Sequence, residues 1–358
     1  MTTRRSVLKV LAATALFPTC SSSQQHPGET TGSGGKGGSG GGGSAGGGTA
    51  GNGTVASATG DQLIFLGTQG GPRFNLTRSE TALALIINGQ TYMIDCGYGA
   101  LRGLMQANLD ILKIGTVFLT HLHVDHTGDL AAVLGLQWAQ GRTDPTTVYG
   151  PYGTDDLVTG AMAFNAADAR IRTVDEMRTV SPQSVFKGVV GPASDTPTMV
   201  YQDNNIVVTS VGNTHYSSTV TSALMDRSLS YRVDSANRKV VFSGDTAYSD
   251  NLVQLAQGAD MLVCEAMDVV ATRASFDAQV AMGAYADNPE GVWNHIVSAH
   301  SPCGDAARMA AAANVKTLVL YHLVPGGLNG NEPDSNYISQ VTGTFSGKVV
   351  VASDQMVV

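Results

Sequence analysis

Residues 116–129 read Thr-Val-Phe-Leu-Thr-His-Leu-His-Val-Asp-His-Thr-Gly-Asp. An apolar run of strand type ends here in three imidazoles and a carboxylate. A layered α/β fold accommodates this, because its strand-end loops carry chemistry on a rigid scaffold. Imidazole and carboxylate without thiolate suit a borderline divalent cation, zinc above all, with manganese or iron as further candidates. In an extended or tightly turned segment His121 and His123 point the same way, while Asp125 and His126 come round on the far side. One loop can therefore grip two cations from two directions. Three of the chain's eight histidines fall within six residues, so a polar turn with incidental histidines is a poor account.

Three later apolar runs end in the same manner. The run 239–242 leads into Ser-Gly-Asp-Thr and presents Asp245; 319–321 leads into His322; 205–211 leads into Asn-Thr-His and presents His215. Upstream, Tyr92-Met-Ile-Asp-Cys-Gly97 presents Asp95. Together with His-x-His-x-Asp-His, these elements resemble the metallo-β-lactamase superfamily across residues 61–358. The resemblance implies an α/β fold, a four-layer αββα sandwich. It also implies a binuclear centre, with His121, His123 and His215 on one metal and Asp125, His126 and His322 on the other. Asp245 and a water-derived hydroxide would bridge the two, Asp125 could orient that hydroxide, and Asp95 would brace the ligand loop. Two such cations roughly 3.5–4 Å apart activate water and clamp attacking and leaving oxygens.

Ala299-His-Ser-Pro302, ahead of an alanine-rich helical run and His322, resembles the ribonuclease Z-like branch of the superfamily. There the matching histidine, here His300, stabilises a developing oxyanion or protonates the leaving group, work suited to imidazole. From the residues alone, Ser301-Pro302 also reads as an N-cap and first helical residue that His300 merely precedes. Residues 129–137 and the strand ending Tyr149-Gly-Pro151 resemble exported arylsulfatase-like members of the branch and are shared with ribonuclease Z. Glu265 closes another apolar run; whether it reaches the site stays open.

The N-terminus, Thr3-Arg-Arg-Ser-Val-Leu-Lys9, resembles a twin-arginine export signal, and the apolar segment 7–17 is too short to span a membrane. Residues 1–20 thus read as a leader handled by the twin-arginine translocase. Cys20 admits a lipidated N-terminus, although Phe17-Pro-Thr19 lacks the small residues that normally precede such a cysteine. Residues 21–60 are a Gly/Ser-rich linker that cannot bury enough apolar area to order itself, with a span of roughly 35 Å. The expected location is extracytoplasmic, periplasmic or membrane-tethered.

The remaining 298 residues carry 17 cations and 28 anions, a net of −11 once Arg4, Arg5, Lys9, Lys36 and Glu29 are removed from 21 and 29. Nucleic-acid binders usually show a basic face. No Lys/Arg cluster and no glycine-rich basic arm is apparent, so no nucleic-acid partner is expected, and export together with acidity argues against transfer-RNA 3′ processing. Two strand–helix halves, 61–200 and 201–358, should share a cleft whose walls lie in loops such as 154–200 and 267–292. Cys96 and Cys264 read as small buried hydrophobes, with Cys303 beside His300.

The expected function is therefore an exported, binuclear, metal-dependent hydrolase of small sulfate or phosphate esters, with Asp125 and His300 as catalytic residues. The alternatives are a lactone or thioester hydrolase of the same fold and a metal-binding protein without turnover.

Overall fold

In the computed structural model the described residues are 61–71, 75–326 and 333–358. The leader, the lipid site at Cys20 and the linker all concern residues 1–60 and lie outside them.

Two mixed sheets form the middle of the molecule. The first holds β1 (Gln62–Gly67), β2 (Ala82–Ile87), β3 (Gln90–Ile94), β4 (Ile114–Phe118), β5 (Thr146–Gly150) and β6 (Phe186–Val190), in that spatial order. β1 to β3 pair antiparallel and β3 to β6 parallel. The second holds β7 (Thr198–Gln202), β8 (Ile206–Gly212), β9 (Leu229–Ser235), β10 (Lys239–Phe242), β11 (Met261–Met267), β12 (Thr317–Val324) and β13 (Lys348–Val351), in reverse spatial order. There β7 to β10 are antiparallel and β10 to β13 parallel.

Strand periodicity sorts the core into three layers. On β1, Leu63 and Phe65 point between the sheets, joining Leu83, Leu85, Phe118, Tyr231, Val263 and Val319, whereas Ile64 and Leu66 face outward. The outward face of the first sheet is covered by the helices Ala100–Gln106, Leu130–Ala139 and Thr154–Phe164. The second sheet is covered by Asp250–Ala256, Cys303–Ala312 and Asp334–Val341. The result is the expected αββα sandwich, with the change of sheet falling in the loop before Thr198.

Other expectations shift. Segments expected as loops carry helices: Thr154–Phe164, Ala166–Asp175, Val269–Ala281 and Pro289–Ala299. Ser301 does not cap the following helix; Pro302 occupies the N-cap, and the Ser301 hydroxyl donates to the Thr246 carbonyl at 2.6 Å. Cys96, Cys264 and Cys303 are buried, with the Cys303 thiol donating to the Met267 carbonyl.

Candidate metal centre

The residues singled out in the sequence gather at one end of the two sheets. β4 delivers the loop bearing His121, His123, Asp125 and His126; β8 ends before His215, β10 before Asp245, and β12 contains His322. The sheets are tied together here, Leu229 N donating to Thr120 O and the Tyr231 hydroxyl to Leu119 O.

Donor atoms of His121, His123, His215 and Asp245 lie within 4.8 Å of one another, and so do those of Asp125, His126, Asp245 and His322. In the first group His123 Nδ1 is 3.1 Å from His121 Nε2 and 3.2 Å from His215 Nε2. His215 Nδ1 donates to the Ala299 carbonyl at 3.0 Å, which leaves a lone pair on its Nε2. Nitrogen atoms converging this closely, with too few protons to join them, suit a cation at their centre. In the second group Asp245 Oδ1 lies 3.1 Å from His322 Nε2 and 3.2 Å from His126 Nε2, while its Oδ2 turns toward His121 at 3.7 Å. His126 Nε2 and Asp245 Oδ1 are buried and face each other without a well-directed hydrogen bond, a costly arrangement that metal coordination would relieve. The donor set therefore fits two metal ions sharing Asp245.

Surrounding groups hold these side chains in place. Asp95 accepts from Thr120 N at 2.7 Å, from the Thr120 hydroxyl at 2.9 Å and from His126 Nδ1 at 2.8 Å, the bracing expected of it. Gly71 N donates to Asp125 Oδ2 at 2.9 Å. His322 has a left-handed φ of 45° and sits at a bulge, where Glu265 faces Tyr321 but Ala266 faces Leu323. A bulge re-aims the side chain it displaces, so an in-strand residue points into the site. Asp95 shares the left-handed backbone, at φ 59°.

The fields inside the cluster oppose burial. Burial lowers His121 well below the usual imidazole range, assisted by its neighbour His126. Burial also disfavours charge on His126 and His322, but the surrounding carboxylates outweigh it. Asp245, Asp95 and Asp125 raise His126, and Asp245 with Asp125 raises His322 to about 10.

Glu265 is the residue the sequence left undecided. It is fully buried; its Oε1 accepts from Thr246 N and its Oε2 from His300 Nδ1, the latter at 2.8 Å. With Nδ1 so committed, His300 Nε2 has no hydrogen bond among the described residues. The cue in the sequence was position: Glu265 lies near the C-terminal end of β11, the strand between those leading to Asp245 and His322.

The Beta-lactamase superfamily domain matches residues 90–323, more than half of the chain, and the protein belongs to that family. It is a metal-dependent hydrolase of ester bonds with the metallo-β-lactamase fold. Curated relatives carry a more particular name. Ribonuclease Z of Mycobacterium avium (strain 104) is 29% identical over 298 residues, which cover 82% of this chain and 96% of that protein. Ribonuclease Z of Brevibacillus brevis is 28% identical over 305 residues, 73% of this chain and 84% of that one. Human tRNase Z, short form, superposes with a TM-score of 0.57 at 23% identity, over 83% of this chain and 98% of that one. The Bacillus subtilis metallo-beta-lactamase fold protein YhfI reaches 0.57 at 19% identity, over 84% and 99%.

These relatives overturn two expectations. An exported hydrolase of small sulfate or phosphate esters is not what they are, and the exclusion of nucleic acid fails because they are ribonucleases. Net charge and the lack of a Lys/Arg cluster along the sequence are poor guides to what a folded surface binds. A net of −11 counts carboxylates at the centre that metal ions would neutralise.

Proposed function

We propose that this protein is a binuclear phosphodiesterase acting on RNA, in the manner of the ribonuclease Z relatives, with a transfer-RNA precursor as substrate. Two zinc ions, or manganese or iron in their place, would be held by His121, His123 and His215 and by Asp125, His126 and His322, with Asp245 between them. Bound there, they would lower the pKa of water and neutralise phosphoryl charge.

The observation that carries this reading is the bond between Glu265 and His300 beside the two donor groups. Glu265 fixes the His300 tautomer with Nδ1 protonated and favours the charged imidazolium, so Nε2–H can give its proton to a departing alkoxide. A ribose 3′-oxygen is a poor leaving group, so this assistance matters more than it would for an aryl ester. Asp125, anchored by Gly71 N, would orient the attacking water from the other side.

The test is incubation of the zinc-loaded protein with a transfer-RNA precursor carrying a 3′ extension. Cleavage at the 3′ end that a chelator abolishes and His300→Ala slows at least 100-fold is the expected result. Intact RNA in the presence of fully metallated protein would reject the proposal.

A further inference from the structure

The helix Pro289–Ala299 carries an imidazole outside both metal-binding groups. His295 lies four residues before Ala299, so the two share a helix face. Ala299 is the buried residue of that helix, and its carbonyl accepts from His215. The same face therefore brings the His295 ring to 5.4 Å from His215, 6.0 Å from His300 and 6.2 Å from His123. The helix is seated by packing on its neighbour, with the Arg273 guanidinium 4.8 Å over Trp293 and Phe276 5.5 Å from the same indole. His295 is thus held over the site by a helix pair, exposed on its outer side, and its ring nitrogens take no hydrogen bond among the described residues.

Donor nitrogens of His215, His295 and His300 lie within 4.8 Å of one another, which raises the question of a third cation. The nitrogens it would need are committed elsewhere. His215 Nδ1 donates to Ala299 and its Nε2 faces His123, while His300 Nδ1 donates to Glu265. What remains is His300 Nε2 and the nitrogens of His295, which take no hydrogen bond among the described residues, one of them within 4.8 Å of a His300 nitrogen.

We propose that His295 is a substrate-binding residue whose imidazole N–H donates to a non-bridging oxygen of the scissile phosphodiester, while His300 serves the leaving oxygen. Neutral imidazole always carries one N–H, so the contact needs no protonation event. Placed where phosphoryl charge concentrates, such a donor holds the group over the metal centre. The inference rests on the phosphodiester reading, and its test is read without turnover.

Inorganic phosphate is titrated calorimetrically into the zinc-loaded protein, its His295→Ala variant and its His295→Gln variant, with metal content measured on the same samples. The expected result is two equivalents of metal in all three, phosphate affinity about tenfold weaker in His295→Ala, the worth of one hydrogen bond, and partial recovery in His295→Gln. Unchanged affinity in His295→Ala, no phosphate binding by the wild type, or no recovery in His295→Gln overturns the inference. Loss of metal from His295→Ala does so too, by making the residue a ligand. A wild type that binds phosphate through His295 yet leaves RNA intact would remove the proposed function and keep this one.

Discussion

Gly71 and Asp125 are in contact across 54 residues of sequence: the Gly71 amide donates to Asp125 Oδ2 at 2.9 Å, and a Cβ on Gly71 would stand 2.6 Å from that same oxygen. Its neighbour Gly70 faces His322 with equal intimacy, a Cβ there lying 2.7 Å from the ring. The backbone between β1 and β2 thus closes over the second donor group, and only glycine leaves the room.

Gly71→Ala should displace the Asp125 carboxylate while the sandwich stays folded. Groups that orient metal ligands typically matter 10- to 100-fold for affinity. We expect the variant to retain close to one equivalent of metal after dialysis where the wild type keeps two, with turnover reduced at least 100-fold. Elemental analysis beside a circular dichroism spectrum checks both halves; full metal retention would contradict the positioning role.

Glu265→Gln should change the pH profile as well as the rate. The Glu265 carboxylate and Asp245 raise His300 against the effect of burial. Removing the Glu265 charge lowers the His300 pKa, so the protonated general acid disappears at lower pH and the alkaline limb of kcat moves down. The loss should be of order 10²–10⁴ on RNA. It should be far smaller on bis(4-nitrophenyl) phosphate, whose leaving group departs unaided. An equal loss on both substrates, or an unmoved limb, would argue for a structural role alone.

Metal binding should release protons. His126 is raised well above its usual range and His322 to about 10, so without cations both rings are protonated near neutrality. A cation must displace those protons, and its apparent affinity should rise with pH up to about 10, where His322 in the free protein loses its proton, and level off above it. Zinc titrations in buffers of different ionisation enthalpy count the protons directly. Affinity independent of pH over this window would show that the two rings do not hold them.

Phe118 tests the seam between the sheets. Fully buried at the end of β4, it lies 5.6 Å from Tyr149, 5.5 Å from Tyr201 and 5.7 Å from Tyr231. Phe118→Ala should cost about 3–5 kcal/mol. Chemical denaturation of the metal-free protein reads this without a contribution from bound ions; a cost under about 1 kcal/mol would mean the cluster collapses to fill the space.

Much of the donor set was legible because each member follows an apolar strand whose end the sequence marks. His121, His215 and Asp245 are of this kind. His322 was singled out as the end of an apolar run, an incomplete reason, since it lies within β12 and reaches the donor cluster through a bulge that no residue pattern announces. The helices around the cleft were illegible because they bury so little. Ala166–Asp175 buries no residue, and Val269–Ala281 buries only Thr272, Ser275 and Phe276, so neither displays an apolar stripe. His295 stayed hidden for that reason. Ser301 misled because a tertiary bond to Thr246 outcompeted local capping. Charge misled most, since a sum over the chain carries no information about where it is placed.

His322 and Asp95 hold backbone angles that L-residues avoid, at a cost of order 1–3 kcal/mol each. Glycine would sit more comfortably in both positions, yet neither position can hold glycine and keep its side chain's role. At these two positions the backbone is held away from its most relaxed form by the side chains the site uses. A lineage released from selection for turnover would gain backbone freedom by losing these two side chains, and its descendants would be recognised as sturdier folds with an empty end.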